Sequence, residues 1–263
     1  MADAADGGGG GRPVPKGAET LSNRFDTAFG EIRKDLARAQ NKFKEIVDLV
    51  NEWWDYIPPG ARYWVAKQLK MLKSKLDELI KHIKYALKHH TPVLSLIYAS
   101  FEWLNDVRNP ASGVHGMLTK TDYENVAIGY WTGGAATAYA SRKAVQQEAV
   151  KAFYGNAEEA SKWLMGIAKA NVAYAVQLAK VLSEVAGELA QAAADATTVI
   201  NIPWAIDALA GSVGTLVTGA LDALLEIANT FMNAVGNARD IYSRTTDESV
   251  FGKAGEWPEA VTI

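Results

Sequence analysis

The 263-residue chain contains no cysteine, which excludes disulfide bonds, thiolate nucleophiles and cysteine-based metal sites. Histidine is also scarce, because the sequence holds only His82, His89, His90 and His115. His82 and His89 lie seven residues apart and could share a helix face, but a metal site there would need a further well-placed ligand. We therefore expect no metal and no other cofactor, and interpret the histidines as solvated polar positions.

The sequence also lacks the short motifs that carry common enzyme chemistry. It has no Gly-rich phosphate loop with its lysine, no dinucleotide-binding fingerprint and no HExxH. The glycine run at residues 7–11 does not follow a strand, as a phosphate-binding loop would. Adjacent carboxylates such as Glu158 and Glu159 do not face each other on a helix, which disfavours an acid–base pair. We predict that the protein is not an enzyme and has no catalytic residues.

Neither end of the sequence has the pattern of a folded or targeting segment. Residues 1–20 lack a basic start followed by an apolar run, so they do not resemble a secretory signal peptide. Their Gly and Pro content predicts a disordered leader, and the polar residues 243–263 predict a flexible tail. Export would therefore use a route that does not depend on a signal peptide, and a cytoplasmic location is the alternative.

Two heptad seams dominate the first part of the chain. From Phe25 to Trp53, and again from Val65 to Ala86, apolar residues alternate at intervals of four and three. Pro58-Pro59-Gly60 between the seams predicts the end of one helix and a turn. Residues 21–107 are thus expected to form an antiparallel hairpin with arms of about 45 Å. At Pro92 the sequence allows either a new helix capped by Thr91 or a kink in a continuous one.

The rest of the chain predicts a second helical hairpin over residues 121–242. Residues 109–120 have a loop composition, and Thr121–Glu124 matches a capping box that begins a short helix. An alanine-rich stretch then runs to about Ala196 and would span about 90 Å as one helix, with Gly155 as its expected break. The fold class is therefore all-α, and the expected architecture is an elongated helical bundle of long antiparallel hairpins.

The last helix, predicted from Trp204 to Tyr242, is apolar on nearly every side. Gly211, Thr215 and Gly219 lie four residues apart and would allow another helix to approach closely. The uncharged stretch inside this helix is too short to cross a bilayer, and acidic residues flank it. Two interpretations follow: a buried central helix of a bundle, which we favour, or a segment that inserts into a membrane after a trigger.

The chain carries a net charge of −3, so nucleic acid is not an expected partner. Residues 61–90 nevertheless hold eight basic residues against two acidic ones. This basic face could meet an acidic partner or an anionic lipid surface. The simpler interpretation, a solubilising face or internal charge matching, is favoured because basic residues normally flank heptad seams. The basic residues are Arg62, Lys67, Lys70, Lys73, Lys75, Lys81, Lys84 and Lys88.

The segment WTGGAATAY at residues 131–139 resembles the signature of the WXG superfamily, the helical-hairpin proteins exported by type VII (ESX) secretion systems. The matching positions are Trp131, Gly133, Ala135, Ala136, Ala138 and Tyr139. The resemblance implies a tight turn at Gly133, with Trp131 packed against Tyr139 where two helices join. The family's export signal, Tyr-x-x-x-Asp/Glu, occurs as Tyr98 with Glu102 and as Tyr154 with Glu158, but neither lies at the usual distance after the motif.

The motif is central in this chain and the helix predicted before it is short, which resembles the larger relatives such as PPE-type and ring-forming substrates. The resemblance covers about residues 120–240. It implies a non-enzymatic protein that is secreted or in the cell envelope and that pairs with itself, a helical partner or a secretion component. Two alternatives stay open: a pore-forming or membrane-perturbing protein that inserts residues 204–235, and a structural subunit of a larger particle.

Overall fold

The computed structural model describes residues 13–88, 91–124, 126–196, 198, 200–236, 238–247, 249–251 and 256–258. Over these residues all regular structure is helical and no strand is present, so the predicted all-α class is confirmed. A 3₁₀ turn, Trp54–Tyr56, lies between α1 and α2, and a π-helical segment, Trp103–Arg108, lies between α3 and α4. The helices are α1 (Glu19–Glu52), α2 (Pro59–Lys88), α3 (Thr91–Glu102), α4 (Asn109–Glu124), α5 (Val126–Gly129), α6 (Gly134–Asp195), α7 (Ile202–Gly236) and α8 (Ala238–Thr245).

The chain divides into two compact units, and neither is continuous in sequence. The first unit combines Met1–Thr20, Ser95–Ile167 and Ala234–Ile263, and the second combines Leu21–Leu94 with Ala168–Asn233. Helices α6 and α7 therefore contribute residues to both units. This division differs from the predicted one, in which residues 21–107 and 121–242 formed separate hairpins.

The core of the second unit is built from apolar stripes on its helices. The predicted seams of α1 and α2 are largely buried, with Ile32, Ile46 and Ile83 fully inside. Burial of each such side chain stabilises the fold by roughly 1.5–3 kcal/mol. Helix α7 adds a stripe at three- and four-residue spacing: Ile202, Ile206, Leu209, Val213, Val217, Ala220 and Leu224.

The connection between α1 and α2 covers residues 53–58, slightly before the predicted turn at Pro58-Pro59-Gly60. Helix α1 ends at Glu52 and α2 begins at Pro59, so Pro59 and Gly60 form the first turn of α2 rather than the tip. A proline is well tolerated there because the first N–H groups of a helix have no intrahelical partner. The Arg62 guanidinium holds the connection by donating hydrogen bonds to the Ile57 carbonyl at 2.8 Å and the Asp55 carbonyl at 2.7 Å.

The loop predicted at residues 109–120 is wrong, because these residues lie in α4. Thr121–Glu124 are consequently the last residues of α4 and do not start a helix. Helix propensity is a weak prior that tertiary contacts override, and α6 supplies such contacts: Gln147 Nε2 donates to the Leu118 carbonyl at 3.1 Å. Gly155 does not interrupt α6, which is 62 residues long.

Helix α7 is buried on one side only, so the expectation of a helix enclosed on all sides is wrong. Its seam faces the core, whereas Gly211, Thr215 and Gly219 are exposed on the opposite side. Leu225 is 64% exposed. Helix α7 therefore contributes one apolar stripe to the core, and its small residues face solvent.

Parts of both predicted flexible ends are packed. Ala18 is fully buried, and the Asn105 side-chain amide donates to the Lys16 carbonyl at 3.2 Å. At the other end α8 extends to Thr245, Phe251 is buried, and the Trp257 ring meets the Phe153 ring edge-on at 6.4 Å. The predicted leader and tail therefore contain residues that pack on the helices, while residues 1–12 lie outside the described chain.

Candidate functional site at the Trp131 turn

The WXG-like motif forms the connection between α5 and α6. Gly133 has a φ of +102°, a conformation that a residue with a β-carbon rarely adopts. The Trp131 N–H donates to the Ile128 carbonyl at 3.2 Å, and the Thr137 N–H donates to the Gly133 carbonyl at 3.2 Å. The turn thus closes against the end of α5 and opens α6 directly, and glycine is needed at its centre.

An aromatic pair marks this turn. The rings of Trp131 and Tyr139 lie 5.6 Å apart at 48°, within the range of favourable aromatic contacts. Both rings remain partly in solvent, since Trp131 is 46% and Tyr139 39% exposed. The predicted contact between these residues is therefore present, but Trp131 is not enclosed in a core.

The aromatic pair borders a cleft of about 280 Å³. The alanines at 136, 140 and 144 keep the α6 side of the cleft shallow, and Lys143 is largely buried within it, 8% exposed. Aromatic faces, aliphatic walls and one amino group suit non-covalent recognition of an apolar side chain. The lining residues are Ile128, Gly129, Trp131, Ala136, Tyr139, Ala140, Lys143, Ala144 and Gln147.

A series of side-chain contacts joins the helical segments on either side of the turn. In these pairs the residue number falls before the motif as it rises after it. The Ser161 hydroxyl donates to the Ser100 carbonyl at 2.7 Å and is buried, which makes it the most enclosed polar contact of the series. Ordered from the turn outward, the pairs are Leu118–Gln147, His115–Tyr154, Arg108–Glu158 and Ser100–Ser161.

The residues of the second candidate export signal are engaged within the chain. The Tyr154 ring meets His115 edge-on at 5.7 Å. The Glu158 carboxylate pairs with Lys162 at 2.9 Å and with Arg108 at 3.3 Å. The hydrogen bond and charge of Lys162, followed by those of Arg108, hold the pKa of Glu158 below its ordinary value of 4.5. The other candidate pair, Tyr98 and Glu102, lies half-buried on α3.

The structure separates the predicted basic face into two groups. Arg62 binds backbone carbonyls at the turn, and Lys75 pairs with Glu78 at 3.2 Å. The other six lysines of the set are exposed on α2. They are Lys67, Lys70, Lys73, Lys81, Lys84 and Lys88.

The small residues of α7 belong to the second unit, whereas the Trp131 turn belongs to the first. The Thr215 hydroxyl donates to the Gly211 carbonyl at 3.0 Å, and the Thr218 hydroxyl donates to the Gly214 carbonyl at 2.9 Å. These bonds turn the hydroxyls back onto the helix. By length and composition alone, Ile202–Ile227 is the one segment of the described chain that could cross a bilayer, and 33% of its apolar window is buried. Core helices of soluble proteins have the same length and composition.

Within the described ranges no three histidine and acidic side chains are grouped so that they could hold a metal ion. His115 instead packs on Tyr154. His89 and His90 lie outside the described residues.

No protein-family model, curated protein or solved structure matches this chain. Sequence reasoning identified Trp131, Gly133 and Tyr139 but missed Lys143 and Gln147 in the cleft. The signal was present, because residues 139, 143 and 147 follow one another at four-residue spacing and must share a face of a helix. The alanine-rich composition of this stretch obscured that spacing.

Proposed function

We propose that this chain is a non-enzymatic helical assembly protein of the WXG type, secreted through a type VII system without a signal peptide. The observation that carries the proposal is the turn at Gly133, where a left-handed glycine sets a partly exposed Trp131–Tyr139 pair at the start of a long helix. A tight glycine turn with an aromatic closure is what the WXG signature requires.

The contacts on either side of the motif support an antiparallel hairpin. The pairs run from Leu118–Gln147 near the turn to Ser100–Ser161 far from it, as two helical segments of opposite direction would. Because α4 replaces the predicted loop, the helical segment before the motif is longer than its sequence indicated. In the length of this segment the chain therefore differs less from the smaller WXG proteins than the short predicted helix implied. The seams of α1 and α2 support a second hairpin of the same kind and hence an elongated bundle.

The cleft at the turn supports docking of a helical partner, either a second copy, another secreted protein or a secretion component. An exposed aromatic pair beside a shallow alanine-lined cleft offers a large apolar contact area at little entropic cost, as in interface hot spots. Trp131 is partly exposed and therefore retains area to bury against such a partner.

Export of a tagged chain from an actinobacterium tests the proposal. Export is expected in the parent strain and not in a strain that lacks the type VII ATPase. Trp131→Ala should reduce export at least tenfold, while Trp204→Ala should leave it unchanged, because Trp204 is an exposed tryptophan on α7 and is not part of the motif. Export that does not depend on the ATPase, or equal losses in both variants, would remove the WXG assignment.

Sedimentation of the purified chain tests the assembly part of the proposal. A dimer or small ring that dissociates in Trp131→Ala would support self-pairing through the turn. A monomer that binds only a co-expressed helical partner would support hetero-assembly. A large particle whose mass does not change in this variant would favour a structural subunit instead.

One observation favours a second function, membrane perturbation by α7. The apolar segment Ile202–Ile227 is long enough to span a bilayer, and most of it is not buried. Release of dye from lipid vesicles tests this possibility: leakage that is abolished by Gly214→Asp or by Leu225→Asp, at an exposed position, would favour a pore-forming protein. Intact vesicles at all protein concentrations and pH values would exclude it.

A further inference from the structure

A continuous row of residues runs along the outer side of α2. Lys67, Lys70, Lys81, Lys84 and Lys88 are exposed, and Ser74 and Asp77 occupy the two remaining positions of the row. Successive members lie three or four residues apart, which places them on one helix face. The buried seam of α2 has the same spacing and lies half a turn away. The lysine row therefore points away from the core along about 32 Å of helix.

The row of residues on α2 carries a net positive charge. Asp77 is its one acidic member, so five lysines face a single carboxylate. Among the described residues no ion pair is formed by the five lysines, whereas Lys75 at the side of the row is paired with Glu78. A chain with a net charge of −3 thus presents a concentrated basic line on one helix.

Large apolar and amphipathic side chains accompany the lysines. Tyr63 is 79% exposed in line with the row, and Tyr85 and Met71 are exposed at its edge. Tyrosine rings with a polar tip and lysines with an aliphatic stem are the side chains that settle at a membrane–water interface.

We propose that α2 binds the surface of an anionic lipid bilayer through this row, an inference that is independent of the proposed type VII export. A straight line of exposed lysines fits a flat, negatively charged membrane surface. The lysine ammonium group is a compact charge, so it can bind anionic head groups in many orientations. The row contains no arginine, the residue that recognises nucleic acid phosphates and bases by paired hydrogen bonds. The apolar seam of α2 is occupied by the core, so the helix lies on the surface without inserting.

Co-sedimentation with vesicles tests this proposal. The full chain should bind vesicles that contain phosphatidylserine and not vesicles of pure phosphatidylcholine, and binding should be lost at about 0.5 M salt because surface charges are screened. Replacing all five row lysines by glutamine should lower the partition coefficient at least tenfold, since each lysine contributes roughly a factor of five near an anionic surface. The matched control removes the same charge elsewhere by Lys→Gln at five exposed lysines: Lys34, Lys44, Lys120, Lys151 and Lys169.

The control should bind within about threefold of the wild type. Circular dichroism melts establish that both variants fold, and replacement of the row lysines by arginine, which keeps the charge, should retain binding. Equal losses in row and control variants, equal binding to phosphatidylcholine, or tighter binding to an oligonucleotide or to polyglutamate than to the anionic vesicles would each overturn the proposal. Retained binding in the glutamine row variant would also overturn it, and would assign any membrane contact to α7.

Discussion

Gly133 has a backbone conformation, φ +102°, that a β-carbon strains, although nothing lies within 4 Å of where that β-carbon would be. Gly133→Ala should therefore destabilise the chain by roughly 1–3 kcal/mol through the backbone alone. Urea unfolding followed by circular dichroism measures the change.

Gly134→Ala is the matched control, because Gly134 also has open space at its β-carbon position but starts α6 without a positive φ. This substitution should stay within about half a kcal/mol of the wild type or be slightly stabilising. If both glycines tolerate alanine equally well, Gly133 imposes no constraint on the turn and the structural part of the WXG comparison fails.

Glu158 links stability to pH. Its pKa is lowered in the folded chain, chiefly by Lys162 and then by Arg108, so the ionised carboxylate stabilises the folded state. This contribution is present above the ordinary pKa of 4.5 and disappears as the pH falls through the lower, folded-state value. Glu158→Gln should therefore lower the melting temperature at pH 7, and this deficit should shrink as the pH falls below 4.5.

Glu188→Gln provides the comparison for this pH series, because Glu188 is an exposed carboxylate on the same helix with no ion pair among the described residues. It should change the melting temperature little at neutral pH. A Glu158→Gln deficit that is as large at about pH 3 as at pH 7 would mean that the substitution acts through packing and not through charge.

The packing of helix α7 can be tested by substitution, because a leucine occurs on its buried side and another on its exposed side. Leu209 is 2% exposed in the seam, whereas Leu225 is 64% exposed on the opposite side. Leu209→Ala should cost roughly 2–5 kcal/mol, and Leu225→Ala should stay within about half a kcal/mol. Equal and large costs would indicate that the outer side of α7 is covered in solution, as in an oligomer or a closed bundle.

The sequence predicted some of these elements and misplaced others for physical reasons. The seams of α1 and α2 were predictable because a heptad pattern reports directly which face is buried. The helix at residues 109–120 was not, because Pro110 and Gly113 are poor helix formers and the contacts that hold α4 come from α6. For α7 the composition gave the helix but not its buried side, since apolar residues occur all around it.

Some features of the Trp131 turn could be predicted from the sequence, whereas others are known only from the structure. The motif predicted the turn, the glycine and the ring contact with Tyr139 because these depend on residues close in sequence. The exposure of Trp131 and the cleft beside it could not be predicted, since they depend on how α5 and α6 leave the turn. Lys143 is buried in that cleft for the same reason.

At the scale of the whole molecule, the two compact units allow separate tests of stability. Phe251 is 7% exposed and belongs to the first unit. Phe251→Ala should cost that unit roughly 3–5 kcal/mol. Hydrogen exchange should then speed up at residues 146–165, which lie in the first unit, and less at residues 25–50, which lie in the second.

Tyr242→Ala controls for the loss of an aromatic ring in the same unit, since Tyr242 is 71% exposed, and it should leave exchange unchanged. If Phe251→Ala accelerates exchange to the same extent in residues 146–165 and 25–50, the chain unfolds as one cooperative body. The two units would then be separate in their contacts but not in their stability.

The interleaved composition of the units has a consequence for the order of synthesis. The second unit needs residues up to Asn233, and the first unit takes in segments from both ends of the sequence. A chain that emerges from the ribosome with its N-terminus first therefore contains α1 and α2 well before the last residues of their unit exist. The second unit can complete its fold only after Asn233 has been synthesised. During that interval the nascent chain is open to a chaperone or a delivery factor, which would meet extended amphipathic helices instead of the finished protein.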